Sequence, residues 1–230
     1  MGADVSSTPS APSPGRDEWR VREADGEADA FYLQRLWHHW FGAPYESKQK
    51  LQHDLFPIAG WSLPDDADVA PRDAFGVIAE HRRGDHAVRI GGAIVALFDH
   101  ETAVEELPDG RYDADALAGE TNAWLLLSVV DRAWRGEGIG SELLARRLAW
   151  VRETDAEMAF ACGWERDGST SRPLLEAAGF VPIQRIGEMY AESARSACPD
   201  CGVWPSDEDL CRCDATLWAL DLTEVRDADD

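Results

Sequence analysis

The chain has 230 residues, 44% of them hydrophobic, which is enough for one well-buried domain or for one domain with a small appendage. No apolar run approaches the ~18–20 residues a membrane helix needs, and the Ser/Pro/Ala-rich start, Met1 to Gly15, lacks the basic and apolar regions of a signal peptide. Forty-four acidic residues face 22 basic ones, and the net charge of −22 disfavours nucleic acid, whose backbone it repels. Only Lys48 and Lys50 are lysines. Such self-repulsion destabilises a compact chain at low salt and is screened at high salt, so the composition suits a halophilic, salt-rich cytoplasm.

In chain order, residues 1–17 read as a disordered leader and 18–223 as one domain. Glu18 to Ala24 alternates as a strand. Asp29 to Phe41 has apolar residues at helical spacing and stops at Gly42 and Pro44. It carries the aromatic run Trp37-His38-His39-Trp40, whose adjacent histidines point about 100° apart and do not suit one metal. Glu46 to Phe56 is expected as a second helix, ended by Pro57 and followed by a Pro/Asp-rich loop through Asp73. Phe75–Arg82 and His86–Phe98 form a hairpin around Arg83-Gly84-Asp85. Asp99 to Asn122, acidic and turn-rich, reads as a surface excursion. Ala123 to Val130 is a nearly continuous apolar run, as expected of a central strand. Ile139–Val151 is an amphipathic helix and Glu157–Trp164 a strand, while Ser171–Ala178 is a helix closed by Gly179. Phe180–Ala191 and Ala215–Leu222 are the last two strands, and 224–230 is an acidic tail. The order implies an α/β (α+β) fold, a mixed six- to seven-stranded sheet with helices on both faces.

The informative stretch is Val130 to Ser141, where a buried strand runs into a glycine-rich turn that opens a helix. Glycines at 136, 138 and 140 let main-chain N–H groups converge where a Cβ would crowd them. The helix adds its uncapped N–H groups and positive dipole end, and Arg135 adds a cation. This is an anion cradle suited to a pyrophosphate. A tight strand-to-helix connection has the same residues, so the turn alone does not decide. The Gly-Lys-Ser/Thr of a Walker A loop is absent, and the spacing is not the G-x-G-x-x-G of a dinucleotide site.

Arg135-Gly136-Glu137-Gly138-Ile139-Gly140 resembles the Arg/Gln-x-x-Gly-x-Gly/Ala motif of the GNAT acetyltransferase superfamily, and Ser141-Glu-Leu-Leu continues as its members do. Pro173-Leu-Leu-Glu-Ala-Ala-Gly-Phe180 resembles the family's helix ending in Gly-Phe. The resemblance implies acetyl-CoA as co-substrate, its pyrophosphate on the main chain of Arg135, Gly136, Gly138, Ile139, Gly140 and Ser141. Val130 would bond the pantetheine arm through its main chain. Arg132, Arg135, Arg146 and Arg147 would form a basic island that offsets the acidic surface. The acceptor would be an amine, either a small molecule or a protein N-terminus or lysine, attacking the thioester directly. Its oxyanion would be met by the N–H of Val130 or Val129.

The chain departs from the family where the family usually carries its acid and base. Leu175 stands at the tyrosine position, Trp124 at the glutamate position, and Gly168 or Ser169 at a frequent asparagine. Glu120, Ser128 and Glu165 are the candidate substitutes, and deprotonation through water needs none of them. A non-catalytic acyl-CoA sensor is the alternative, and a zinc-organised interaction module is another. Oligomeric state is open, a homodimer included.

Five cysteines are present, four of them between Cys198 and Cys213. Without a secretion signal, such clustering points to metal more than to disulfides. Cys198-Pro-Asp-Cys201-Gly with Cys211-Arg-Cys213 reads as a knuckle for structural Zn²⁺ in the connection between the last two strands. A redox pair, a reversible disulfide and an Fe–S centre are the alternatives. The remaining Cys162 lies on a buried strand, where a small core residue is expected.

Overall fold

The computed structural model describes residues 19–41, 55, 58, 71–165, 171–187 and 213–223, the side chains of residues 38, 40 and 41 excepted. The elements run β1 (Trp19–Glu23), α1 (Glu27–Phe41), β2 (Asp73–Arg83), β3 (His86–Asp99), α2 (His100–Glu106), α3 (Ala114–Leu117), β4 (Thr121–Val130), a 3₁₀ turn (Arg132–Trp134), α4 (Ile139–Arg152), β5 (Met158–Trp164), α5 (Arg172–Ala177), β6 (Val181–Ile186) and β7 (Ala215–Asp221). The leader, the expected helix Glu46–Phe56 apart from the buried Leu55, most of the cysteine segment and the acidic tail lie outside the described residues.

The strands form one seven-stranded sheet in the order β1-β2-β3-β4-β5-β7-β6. Neighbours are antiparallel except β4 and β5, which run parallel. The parallel pair is joined through α4, the crossover helix that such a connection needs. Helix α1 covers one face, where Leu33, Ile94, Leu127, Val129, Phe160 and Leu217 share a core. Helices α4 and α5 cover the other, with Leu144, Leu148, Val151 and Leu175 on Val95, Leu125, Ala159 and Trp218. The hydrophobic run of β4 therefore reflects burial on both sides.

Two irregularities shape the middle of the sheet. Along β3 and β4 the register moves from Ile94↔Leu127 to Ala96↔Trp124, so Val95 alone faces Leu125 and Leu126. This is a β-bulge on β4, a device that bends a strand and re-aims its groups. Beyond it, β4 and β5 part company. They pair only at Asn122↔Met158, Ala123↔Ala159 and Trp124↔Phe160. From there β4 stays with β3 and β5 stays with β7, leaving a wedge between their C-terminal halves.

The expected surface excursion from Asp99 to Asn122 lies largely at the surface, but it carries the helices α2 and α3 and ends in the start of β4. Asp99 caps α2 by accepting from the Thr102 N–H at 2.9 Å. Ala103 and Leu107 are buried, one helical turn apart. Arg111 N–H donates to Gln184 Oε1 at 2.7 Å, which fixes the insertion to β6. Acidic composition hid a short helix that buries only a narrow stripe. The hairpin is as expected: Gly84 takes φ 63 between β2 and β3, where a side chain would be strained.

Candidate active site

The glycine-rich turn lies at the C-terminal end of β4, on the mouth of the wedge. Asp131 starts it: its carboxylate accepts from Ala133 N–H at 3.1 Å and nucleates the 3₁₀ turn. Trp134 anchors that turn by packing on the His81 ring of β2, with centroids 4.5 Å apart. Gly136 and Gly138 then adopt φ 85 and 86, in the left-handed region. Gly138 is the N-cap of α4 and supplies no side-chain cap, so the first N–H groups of that helix are left to another partner. A Cβ built on Gly136, Gly138 or Gly140 would meet nothing within 4 Å, so the concavity above the turn is open. Ile139 is 1% exposed and pins the start of α4 to the core, so only its main chain faces the concavity. Ser141 is exposed in the first turn.

The basic island is smaller than the four arginines of the sequence imply. Arg132 and Arg135 are exposed on the turn itself. Arg135 folds back, its Nε donating to Val130 O at 3.1 Å. Arg146 is engaged by Glu142 at 2.9 Å, one helical turn earlier. Arg147 is 2% exposed and sealed beneath the sheet, so it adds nothing to the surface of the turn. The i, i+4 spacing of Leu143, Arg147 and Val151 was the available signal, because it sets the arginine on the apolar stripe of α4.

Main-chain direction along the end of β4 is fixed. Asp131 N–H donates to Ile90 O of β3 at 2.8 Å. Strand alternation then turns the N–H groups of Val129 and Leu127 towards β3 as well, and those of Val130 and Ser128 towards the wedge. Of the two oxyanion donors expected from the sequence, Val129 thus faces the wrong way. Gly91 lets β3 and β4 close up here, since a Cβ on it would lie 2.7 Å from Val129 O.

The candidate acid–base residues are scattered. Glu120 precedes β4, about 30 Å along the strand from the turn, and its N–H donates to Glu157 Oε2 at 3.0 Å. It is not brought to the site. Ser128 is on the wedge arm, and it is exposed rather than a core hydroxyl. Leu127 and Val129 belong to the core on the α1 face, so Ser128 turns its hydroxyl to the other. Glu165 follows β5 at the same end of the sheet, on the opposite arm. Its Oε1 accepts from Thr216 Oγ1 at 2.7 Å, with Arg172 Nη2 at 3.7 Å. Leu175 and Trp124, the residues in place of the usual acid and base, are 4% and 7% exposed and belong to the two cores. Cys162 is half-buried at the margin of the α1-side core rather than inside it, and desolvation pushes its thiol up to about 12.

On α1, Tyr32 is partly buried against the core and feels the Asp131 carboxylate just past β4, a long-range placement that its local sequence does not mark. Arg89 stacks over its ring at 5.5 Å, and burial together with the Asp131 carboxylate pushes its phenol up to about 12. Of the four clustered cysteines only Cys213 is described, half-buried two residues before β7; Cys198, Cys201 and Cys211 lie outside the described residues. Among the described residues no cluster of metal-ligating side chains occurs. No described helix is long and apolar enough to cross a membrane.

Known structures share this architecture. Arabidopsis thaliana NAA60 in complex with acetyl-CoA superposes with a TM-score of 0.58 at 16% identity, covering 89% of this chain and 99% of that one. The NatC complex bound to Gag peptide and CoA gives 0.56 at 14% identity, covering 89% and 98%. Mosquito arylalkylamine N-acetyltransferase like 5b gives 0.54 at 11%, covering 88% and 99%. No curated protein sequence matches the chain. At such identities the likeness establishes the fold. The sequence itself goes further: residues 33–180, more than half of the chain and the whole of the β4–turn–α4 unit, match the model of the acetyltransferase (GNAT) family. The chain belongs to that family.

Proposed function

We propose that the protein moves an acetyl group from acetyl-CoA to an amine. The observation that carries this reading is the open, side-chain-free turn at the mouth of the β4–β5 wedge. Three glycines there present main-chain N–H groups and the uncapped end of α4 to a space that Cβ atoms would fill. A diphosphate fits that donor set. In this reading the main chain of Arg135, Gly136, Gly138, Ile139, Gly140 and Ser141 holds the pyrophosphate. Arg135 exchanges its bond to Val130 O for a phosphate oxygen, freeing the Val130 main chain for the pantetheine arm.

The pantetheine arm then takes the place of the missing strand partner along β4. The amine nitrogen attacks the thioester carbon, the carbon–sulfur bond breaks, and the sulfur leaves with the bonding electrons and takes up a proton. A lysine-like amine has a pKa of ~10.4 and must first lose its proton. Apolar residues fill the usual base and acid positions, so water in the wedge is the relay we favour, with Glu165 as the carboxylate on its far arm. The acceptor is a small-molecule amine or a protein N-terminus or lysine.

The buried positions of Leu175 and Trp124 favour a second reading, a sensor that binds acyl-CoA without turnover. Titration calorimetry with acetyl-CoA in molar KCl, with thiol release measured over a peptide N-terminus, a lysine peptide and tryptamine, separates the two. Binding with release on some amine supports the transferase. Binding with none supports the sensor, and no binding rejects both.

We further propose that Cys198, Cys201, Cys211 and Cys213 hold a structural Zn²⁺, which would order the connection leading into β7. That connection would border the acceptor side of the wedge or present a docking face. The acid-rich, lysine-poor composition fits work in a salt-rich cytoplasm.

A further inference from the structure

Arg147 is the one buried cation on α4, and its partners are unusual. Nε donates to Leu143 O at 3.3 Å, while Nη1 donates to Ile94 O at 3.2 Å and Leu127 O at 3.1 Å. The guanidinium is answered by main-chain carbonyls, and burial alone pulls its pKa down. A cation in such a place is costly unless its hydrogen bonds serve a purpose. Apolar side chains occupy the neighbouring core positions on this helix, Leu143, Leu144, Leu148 and Val151, so packing alone did not require an arginine.

Its location suggests the purpose. Ile94↔Leu127 is the last paired position before the bulge, so Arg147 bonds both strands at the point where the ladder slips. Leu127 C=O and Ser128 N–H belong to one planar trans peptide and therefore point in opposite directions. The carbonyl faces Arg147 beside β3; the N–H faces the wedge. A charge-assisted bond to the oxygen draws density from the amide and makes its N–H a stronger donor.

We infer that Arg147 is a positioning residue for acyl transfer: it fixes the β4 bulge and polarises the Leu127–Ser128 peptide, so that the Ser128 N–H is aimed at the thioester oxygen. This rests on the acetyltransferase reading above. Negative charge growing on that oxygen would then meet a donor that is held rigidly and strengthened from behind. The side chain of Ser128 has no part in this.

Arg147→Met and Arg147→Lys test it. In the acetyl-CoA-free protein, the Ser128 amide proton should move upfield in Arg147→Met and return most of the way in Arg147→Lys. Calorimetric affinity for acetyl-CoA should be unchanged in both. With the amine that the wild type uses, kcat should fall about tenfold in Arg147→Met with KM held, and Arg147→Lys should recover most of it. Should Arg147→Met fail to fold, Arg147→Gln against Arg147→Lys makes the same comparison of neutral with charged. An unmoved Ser128 amide, or affinity and kcat falling together with the thermal midpoint, overturns the inference while leaving the transferase reading standing. A wild type that binds no acetyl-CoA overturns both.

Discussion

Single residues at the end of β4 separate binding from folding. Gly138 has open space around it but a left-handed backbone, so Gly138→Val should cost the free protein ~1–3 kcal/mol through backbone strain alone. The added carbons would occupy the space assigned to the diphosphate, and acetyl-CoA affinity should fall at least a hundredfold by calorimetry. Retained affinity would refute the cradle. Gly91→Ala has the opposite signature. Its Cβ would press on Val129 O at 2.7 Å, a close approach made by main chain on both sides. Overpacking of that kind costs ~1–3 kcal/mol, so the midpoint of thermal unfolding should drop before affinity does. Affinity lost without any change in midpoint would show that β3 and β4 are not in the contact described.

At the scale of elements, α1 is locked to the β1–β3 edge through one carboxylate. Asp29 is 2% exposed and bonds Arg22 Nη2 at 3.1 Å and Arg89 Nε at 2.9 Å. Glu80 continues the network by accepting from Arg22 Nε at 2.8 Å and Arg20 Nη2 at 3.1 Å. Burial alone would raise the Asp29 carboxyl, but Arg22, the Asp25 N–H and Arg89 outweigh it and hold it at about 2. The folded state therefore binds this proton less readily than the unfolded chain, whose carboxyl titrates near 3.8. The resulting stability, about 2 kcal/mol, is complete above pH ~4 and is lost as pH falls towards ~2. Asp29→Asn should lower stability at pH 7 by several kcal/mol and flatten that part of the acid limb. An acid limb identical to the wild type's would remove Asp29 from the account.

Elements also differ in how far the sequence announced them. The strands and α4 were legible because long apolar runs and a strong stripe repeat one period many times. The turn was legible because its glycines are conformational requirements rather than preferences. The insertion of α2 and α3 was not, since Ala103 and Leu107 are too few to stand out among acidic neighbours. The bulge was invisible, because it is a property of two strands in register and no residue of Leu125–Leu126 marks it. Arg147 illustrates the boundary. Its spacing placed it on the buried stripe, yet its charge invited a surface role, and only the two carbonyls beneath the bulge resolve the conflict. The pairing of Glu165 with Thr216 and Arg172 likewise depends on β7 lying beside β5, a long-range contact that local patterns do not encode.

For the whole molecule, the charge of −22 sets the conditions under which the site works. Acetyl-CoA is itself an anion, and at low ionic strength it approaches a repelling field that reaches across the surface. The Debye length is ~10 Å at 0.1 M salt and ~3 Å at 1 M. Screening at 1 M therefore removes repulsion from distant carboxylates while sparing main-chain N–H bonds made in contact. A site that binds mainly through main-chain groups should gain affinity as KCl rises from 0.1 to 1 M, alongside a rising thermal midpoint. A site that depends on the exposed arginines Arg132 and Arg135 should lose affinity over the same range, because those ion pairs are themselves screened. The open glycine turn and the engagement of Arg146 by Glu142 favour the first outcome. Calorimetric titrations at several KCl concentrations, with Arg132→Ala and Arg135→Ala compared with the wild type, measure the two contributions separately. Affinity falling monotonically with salt would transfer the recognition of the diphosphate from the main chain to the two arginines.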